Sequence, residues 1–538
     1  MKKRIVIVFM IMLALFTCVV GRFSYLSGGR EVAQYAGVTG SRTIEVGINR
    51  ARGVFYDREG RPLVGAREQW AVLCEPMSLN AASAQALREH ATLSQEELEQ
   101  AIGQAYPFLV YVDEPISGVG LTGVKALSRY EGLAQNLIGY IDAQQHGVSG
   151  LEAALDEVLY AQGYSYSALF TADAARRALS GYGIAFQGSG RPVEQGVRLS
   201  LDREIQKVCD EVADQRLARG AILVSDLQSG QICAWVSRPT YDPENPAASL
   251  QAGDAMLNKV LYSYCCGSAF KIIVVAAALE AGVELPQEYE CTGGYQMQTH
   301  TIGCAKREGH GVIDATTAFA QSCNPYFCAL AAQVGAERLM EMAEKFGLGQ
   351  KTDLGYGIGD SGGQLPLSAD LSVDVALANF AIGQGSLLVT PLQMLRIGAI
   401  IADGGKAKPL YLFEGITDAT GQYTPVSRPT DRGRVISQET ADRIAAMMGE
   451  VAQTGTGKPA AAAVYQSAVK TSSAQTGIYE QGQEVLHSWV IGFYPLHAPQ
   501  YAIAVLAEGL EGSYYSAAPV FGEIVDRLYG CGLINSVV

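Results

Sequence analysis

The hydrophobic pattern opens with one long apolar run and then breaks into short alternating and helical stretches. Lys2, Lys3 and Arg4 precede an apolar run from Ile5 to Val20, which Gly21 and Arg22 interrupt. As a helix, that run rises about 24 Å, short of a ~30 Å hydrocarbon core. Extending it to Phe23 and Leu26 makes up the difference if Arg22 snorkels to the interface. The expectation is an uncleaved anchor over residues 5–26, with residues 1–4 inside and the rest outside. A cleaved signal peptide fits basic residues and a short apolar run as well, although Val19-Val20-Gly21 is a weak cleavage site.

From Arg42 to about Gly190, short apolar runs mix with helical stretches such as Ser94 to Ala105, and residues 42–190 read as an N-terminal module. Gly188-Ser189-Gly190-Arg191-Pro192 reads as a linker. Val197, Leu199 and Leu201 alternate with Arg198 and Ser200 and open a second unit, 197–538, as a half-buried strand. Gly220 to Ser225 and Gln231 to Val236 are two apolar runs around a turn at Leu227-Gln228-Ser229-Gly230. The middle, Ala252 to about Gly404, reads as mostly helical. After a helix around Thr440 to Gln453, strands are expected at Val464 to Gln475, His487 to Tyr494 and Tyr501 to Glu508. A closing helix fits Pro519 to Tyr529. Strands at both ends with helices between them predict an α+β layer fold with an antiparallel sheet.

Composition narrows the function. The 538 residues are 48% hydrophobic and 17% charged, enough for at least two cored units. Lys and Arg number 40 against 54 Asp and Glu, for a net −14 that repels phosphate backbones. The 11 cysteines are scattered, with no CxxC, HExxH or repeat among them, so neither a metal site nor a cofactor is expected.

Gly267-Ser268-Ala269-Phe270-Lys271 begins a helical run to Leu279. Three residues apart on a helix, Ser268 and Lys271 share a face. A buried amine that loses its charge can take a serine's proton and make it a nucleophile. The spacing alone is weak, since Ser467 and Lys470 repeat it within a predicted strand. Ser322-Cys323-Asn324 follows 54 residues after Ser268, at an expected helix break before Pro325. It offers a proton relay and a carboxamide, or simply an N-cap. Lys470-Thr471-Ser472-Ser473 sits on a late strand, where it could bind a carboxylate or protect a sheet edge.

Together the three segments resemble penicillin-recognising serine enzymes. Arg52-Gly53-Val54-Phe55-Tyr56-Asp57-Arg58-Glu59-Gly60 and Gly147-Val148-Ser149-Gly150-Leu151-Glu152 resemble N-terminal segments of class B penicillin-binding proteins. Leu199-Ser200-Leu201-Asp202 with Gln206, Ser237 to Pro243, Gly383-Gln384-Gly385, Thr390 to Met394 and His487-Ser488-Trp489 are similar to segments of their catalytic domain. The resemblance implies an anchor, an N-terminal pedestal, and a transpeptidase domain built on a five-stranded antiparallel sheet. It further implies a cell-membrane D,D-transpeptidase that crosslinks peptidoglycan stem peptides, binds β-lactams, needs no cofactor or metal, and works with a polytopic glycosyltransferase and division or sporulation proteins. A catalytically weak scaffold, a β-lactam sensor and a β-lactamase are the alternatives.

Under the resemblance, Ser268 is acylated and Lys271 is its base. Ser322 shuttles a proton, Asn324 holds the substrate amide, and Lys470 and Thr471 bind the carboxylate. The N–H groups of Ser268 and Ser473 form an oxyanion hole. Ser472 departs from the pattern: it stands where glycine is usual and adds a Cβ and a hydroxyl beside the helix carrying the nucleophile. Cys304 and Cys323 are a candidate redox pair whose oxidation would displace Ser322 and Asn324. The alternative is that both are small semi-buried residues and that Cys291 and Cys304 would pair more easily.

Overall fold

The computed structural model describes residues 42–535 apart from 66, 143, 162, 174–176, 180–181, 190–193, 250–252, 299, 429–432, 481 and 511–516, together with Met10 and residues 12–20. Met10 and residues 12–20 are helical and expose Met12, Phe16 and Val19. Among the described residues no helix is long and apolar enough to cross a membrane. Residues 5–9, 11 and 21–26 of the expected anchor, and 190–192 of the expected linker, lie outside the described residues.

The chain forms two compact units. The smaller comprises Met1–Arg52, Gly65–Arg129 and Ala161–Val193; the larger comprises Gly53–Val64, Tyr130–Tyr160 and Glu194–Val538. Residues 53–64 and 130–160, which lie within the N-terminal span of the sequence, thus fold as part of the larger unit.

In the smaller unit, strand Tyr164–Ala172 pairs between Arg42–Arg50 and Ile184–Gly188, and Arg67–Cys74 pairs between Phe108–Tyr111 and Leu121–Ser128. Alternation along Leu121–Ser128 buries Val124, Ala126 and Ser128. The helix expected over 94–105 is Gln95–Gly103, started by a capping box between Ser94 and Glu97.

The larger unit is built on five antiparallel strands: β1 (Gly220–Asp226), β2 (Ile232–Arg238), β3 (Ala468–Glu480), β4 (Gln483–Tyr494) and β5 (Tyr501–Leu510), in spatial order β2-β1-β5-β4-β3. Helices α1 (Arg203–Arg216), α2 (Lys271–Glu280), α3 (Asn324–Val334), α4 (Pro391–Ala402), α5 (Gln438–Gln453) and α6 (Ala517–Gly530) surround it. This is the α+β fold with an antiparallel sheet that the apolar pattern predicts. Strand Gly196–Leu199 joins a separate four-stranded sheet, beside Val54–Tyr56 and Phe413–Thr417.

Several family-like segments build the frame rather than the chemistry. Asp57 is fully buried and accepts from the N–H groups of Glu59 and Arg61. Arg58 Nε donates to Asp202 Oδ2 at 2.9 Å, while Asp202 Oδ1 caps α1 through the N–H groups of Glu204 and Ile205. Gln206 on that helix exchanges hydrogen bonds with the backbone of Trp235 on β2.

One expectation fails. The middle carries helices but also three short strand pairs: Tyr289–Cys291 with Gly311–Ile313, Gly294–Gln296 with Thr301–Gly303, and Asp353–Gly355 with Ile358–Gly359. Strands this short cannot show a period, so their pattern gives no warning.

Candidate active site

Helix α2 is apolar all round and buried from Lys271 to Ala278, which fixes the turn just before it. That turn, Gly267–Phe270, is 3₁₀ and carries Ser268. Three elements hold the backbone leading into it. Trp489 Nε1 of β4 donates to Cys265 O at 2.9 Å, Ser472 Oγ of β3 donates to Cys266 O at 2.6 Å, and Gly267 N–H donates to Gly383 O at 2.9 Å. The family-like segments at 383–385 and 487–489 therefore act by positioning the turn that carries Ser268.

Ser472, the departure from the glycine pattern, is buried and fully accommodated. The space comes from Gly267, at φ +54°, where a Cβ would overlap Ser472 Oγ.

Lys271 is fully buried. Its Nζ donates to Ser322 O at 2.7 Å, Ser322 Oγ at 3.1 Å and Asn324 Oδ1 at 2.7 Å. Burial lowers its pKa to about 8. Lys470, also fully buried, donates to Thr471 O at 2.8 Å and to Ser322 Oγ at 3.3 Å. Burial and, next, the Lys271 charge push it well below the ordinary lysine range. Every one of these acceptors is a neutral oxygen. Two ammonium groups sharing one hydroxyl in a desolvated place repel, which favours a neutral amine at the site.

Ser322 holds a left-handed φ of +56°, uncommon for a residue with a Cβ, and so directs both its carbonyl and its hydroxyl at Lys271. The N-cap reading of this segment does not hold. Cys323 occupies the cap position of α3 without a side-chain cap bond, Asn324 is its first residue, and Pro325 is one of its first two residues. A helix over Ala315–Ala320 ends just before this segment and α3 begins within it, so the break expected before Pro325 is present. Ser467 lies just before β3, where its Oγ accepts from Ala462 N–H at 3.3 Å. Its matching spacing to Lys470 has no part in the cleft.

A cleft of about 650 Å³ brings Ser268, Ser322, Asn324, Thr471, Ser472 and Ser473 together. It is also lined by Gln321, Gln384, Cys304 and Thr456. Thr456, whose hydroxyl pairs with that of Thr471, was not singled out from the sequence. Its signal was Gly455-Thr456-Gly457: a Cβ at Gly455 would strike Ala320 O, and one at Gly457 would crowd Val469. Glycines on both sides of a hydroxyl let the turn come close enough to present it.

Cys304 and Cys323, posed as a redox pair, are free thiols. The Cys323 thiol donates to Cys304, which pushes Cys304 below the ordinary thiol range and Cys323 above it. Cys291 and His310 lie beside them, the four ligand atoms all falling within 4.8 Å of one another. In the sequence these residues stand 13, 6 and 13 positions apart, spacings that gave no metal-site signature.

Residues 220–526 match the penicillin binding protein transpeptidase domain family. The penicillin-binding protein PbpB of Mycolicibacterium smegmatis is 35% identical over 437 residues, covering 75% of this chain and 64% of that protein. Stage V sporulation protein D of Bacillus subtilis is 29% identical over 412 residues, covering 72% and 61%. The chain thus matches less than two thirds of the length of these two relatives. The peptidoglycan D,D-transpeptidase FtsI of Escherichia coli is 25% identical over 513 residues, covering 89% and 83%. Among solved structures, penicillin binding protein 3 of Mycobacterium tuberculosis complexed with aztreonam superposes with a TM-score of 0.64 at 25% identity, covering 92% of this chain and 98% of that one. A three-motif cleft on a five-stranded sheet, a family match over more than half the residues and these relatives lead to one assignment: the chain belongs to the class B penicillin-binding proteins.

Proposed function

We propose that this chain is a peptidoglycan D,D-transpeptidase that crosslinks stem peptides through an acyl-enzyme at Ser268 and is blocked there by β-lactams. One observation carries the reading: Ser322 Oγ lies within 3.1 Å of Lys271 Nζ and 3.3 Å of Lys470 Nζ, in the cleft that Ser268 lines. In the first half-reaction, Lys271 accepts the Ser268 proton as Oγ bonds to the carbonyl carbon of the penultimate D-alanine. The bond from that carbon to the terminal D-alanine nitrogen then breaks, and the proton returns through Ser322 to the leaving amine. An acceptor amine from a second stem peptide attacks the ester, releases Ser268 and takes its place on the acyl group.

Asn324 hydrogen-bonds the acyl-chain amide, and Lys470 and Thr471 receive the terminal carboxylate. The N–H groups of Ser268 and Ser473 stabilise the tetrahedral oxyanion, each such donor being worth about 3–4 kcal/mol in the transition state. The apolar run over residues 5–26 anchors the chain in the cell membrane with the catalytic unit outside, and the part of residues 42–190 that belongs to the smaller unit supplies the pedestal. A polytopic glycosyltransferase and division or sporulation proteins are the partners this reading calls for.

The test is fluorescent-penicillin labelling of the detergent-purified full chain, alongside release of D-alanine from a pentapeptide substrate. Labelling that localises to the Ser268 peptide supports the reading. A folded chain that neither labels nor releases D-alanine would leave it a non-catalytic scaffold.

A further inference from the structure

We infer that Cys291, Cys304, His310 and Cys323 form a tetrahedral zinc site that holds the Tyr289–Ile313 segment against the second motif. Among the segment's described residues, the buried side chains are Cys291, Cys304 and Ile313, while Val312 is 69% exposed. Two ladders of three residue pairs are marginal by themselves, and the segment adds to them only partly buried contacts: Tyr295, Met297 and Ile302 against Cys328, Ala378 and Ile382, and Tyr289 against Tyr326. What it encloses between its turns is a set of metal ligands.

The geometry suits one ion. Zinc bonds thiolate sulfur at about 2.3 Å and imidazole nitrogen at about 2.0–2.1 Å, so the sulfur–nitrogen edge of a tetrahedron is about 3.5 Å and the sulfur–sulfur edge about 3.8 Å. Cys304 Sγ lies 3.4 Å from His310 Nδ1, and all four ligand atoms lie within 4.8 Å of one another. Contraction by about 1 Å at the widest edge would close the tetrahedron. The backbone is already wound for it: Cys291 pairs with Gly311 next to His310, and Cys304 N–H donates to Gly293 O at 2.9 Å, tying one hairpin to the other. Gly293 (φ +96°) and Gly309 (φ +84°) sit where a Cβ would strike the carbonyls of Arg307 and Cys291. This loop closes on itself more tightly than any other residue would permit.

Three sulfurs and an imidazole select zinc over magnesium or calcium, which take oxygen ligands. Four protein ligands leave no open position, so the site is structural, and each thiol that binds gives up its proton to solvent. Its reach into the cleft is direct. Cys323 joins Ser322 to Asn324, and Asn324 Nδ2 donates to Gly303 O, next to Cys304, at 3.0 Å. Metal ligation would therefore fix the second motif from both sides.

The test does not depend on acylation, so it stands whether or not the transpeptidase reading holds. The full chain, purified in detergent without chelator, is analysed for metal by mass spectrometry, with Cys291→Ser and His310→Ala as variants. About one zinc per chain is expected, falling several-fold in both variants. Should either variant misfold, cobalt exchange into the wild-type chain decides. A sulfur-to-cobalt charge-transfer band with tetrahedral d–d absorption supports the site, and an octahedral spectrum overturns it. A reduced chain that takes up no zinc, or a Cys304–Cys323 disulfide in the chain as isolated, also overturns it.

Discussion

Two segments border the same cleft and are held by opposite means. The Gly267–Phe270 turn feeds a helix buried on every side, and three separate elements hydrogen-bond the backbone leading into it. The Tyr289–Ile313 segment is made of short ladders with most side chains in water, and its enclosed groups are cysteines and a histidine. Burying each Ile or Val of α2 contributes on the order of 1.5–3 kcal/mol, and such burial writes itself into the sequence as an unbroken apolar run. Convergence of four ligands from separate turns leaves no local pattern. Apolar packing positions the Ser268 turn, whereas polar side chains gather within the Tyr289–Ile313 segment.

The comparison is broken most directly at the nucleophile. Ser268→Ala is expected to abolish penicillin labelling and D-alanine release, while thermal stability stays within about 0.5 kcal/mol of the parent, because the turn is held by its backbone. Residual labelling at the parental rate would end the assignment.

Next in size is Lys271→Ala, expected to cut acylation by about 100–10,000-fold. A smaller loss would make Lys470 the base. The sign of the pH dependence follows from the same amine. Burial lowers Lys271 to about 8, and the free base is the reactive form, so acylation should rise with pH through that value and level off above it. The groups facing it are the Ser322 and Asn324 oxygens, the Lys470 amine and the thiols of Cys323, Cys328 and Cys304, so the apparent midpoint belongs to the coupled site rather than to one residue. A flat profile of kcat/KM between about pH 7 and 9 would contradict it.

What was legible in the sequence follows the same division. The five strands of the main sheet and helices α2, α5 and α6 could be read because their apolar residues repeat over many positions. Even there the ends drifted. The strand expected over 464–475 runs from Ala468 to Glu480, and its partner starts at Gln483 rather than His487. A register shift after Gln475, with Ile478 and Tyr479 exposed near the tip, erases the alternation that would have marked the extension. In the site, Ser268, Ser322, Asn324 and Thr471 could be placed from their motifs. The left-handed Ser322, the turn carrying Thr456 and the cysteine–histidine cluster could not, since each exists only once distant turns meet.

The close contact between Gly267 and Ser472 gives a finer probe of how the turn is held. Gly267→Ala adds a Cβ at a positive φ, overlapping Ser472 Oγ and approaching Ala474 Cα at 3.1 Å. Strain and overpacking together should cost about 1–3 kcal/mol and lower acylation by displacing the turn. Combining it with Ser472→Gly removes the overlap, so the pair should recover part of the loss. Strict additivity by chemical denaturation would show that the two positions do not press on each other.

Ser472→Gly alone should have the smallest effect, because what it removes holds the turn without touching the reaction. The Ser472 hydroxyl donates to Cys266 O at 2.6 Å in a buried setting, and such a bond contributes about 0.5–1.5 kcal/mol net. Glycine within a strand costs a further ~0.5–1 kcal/mol in chain entropy. Together these predict a lower denaturation midpoint, with acylation within a few-fold of the parent, since Trp489 and Gly383 still grip the turn. Ser472→Ala separates the two terms, because it loses the hydroxyl while keeping the Cβ. If both variants acylated a hundredfold more slowly, the hydroxyl would have to reach the substrate itself, and Ser472 would belong to the reaction rather than to its support. A stability equal to the parent's would instead mean that the bond to Cys266 adds nothing, and that the turn stands on Trp489, Gly383 and the burial of α2.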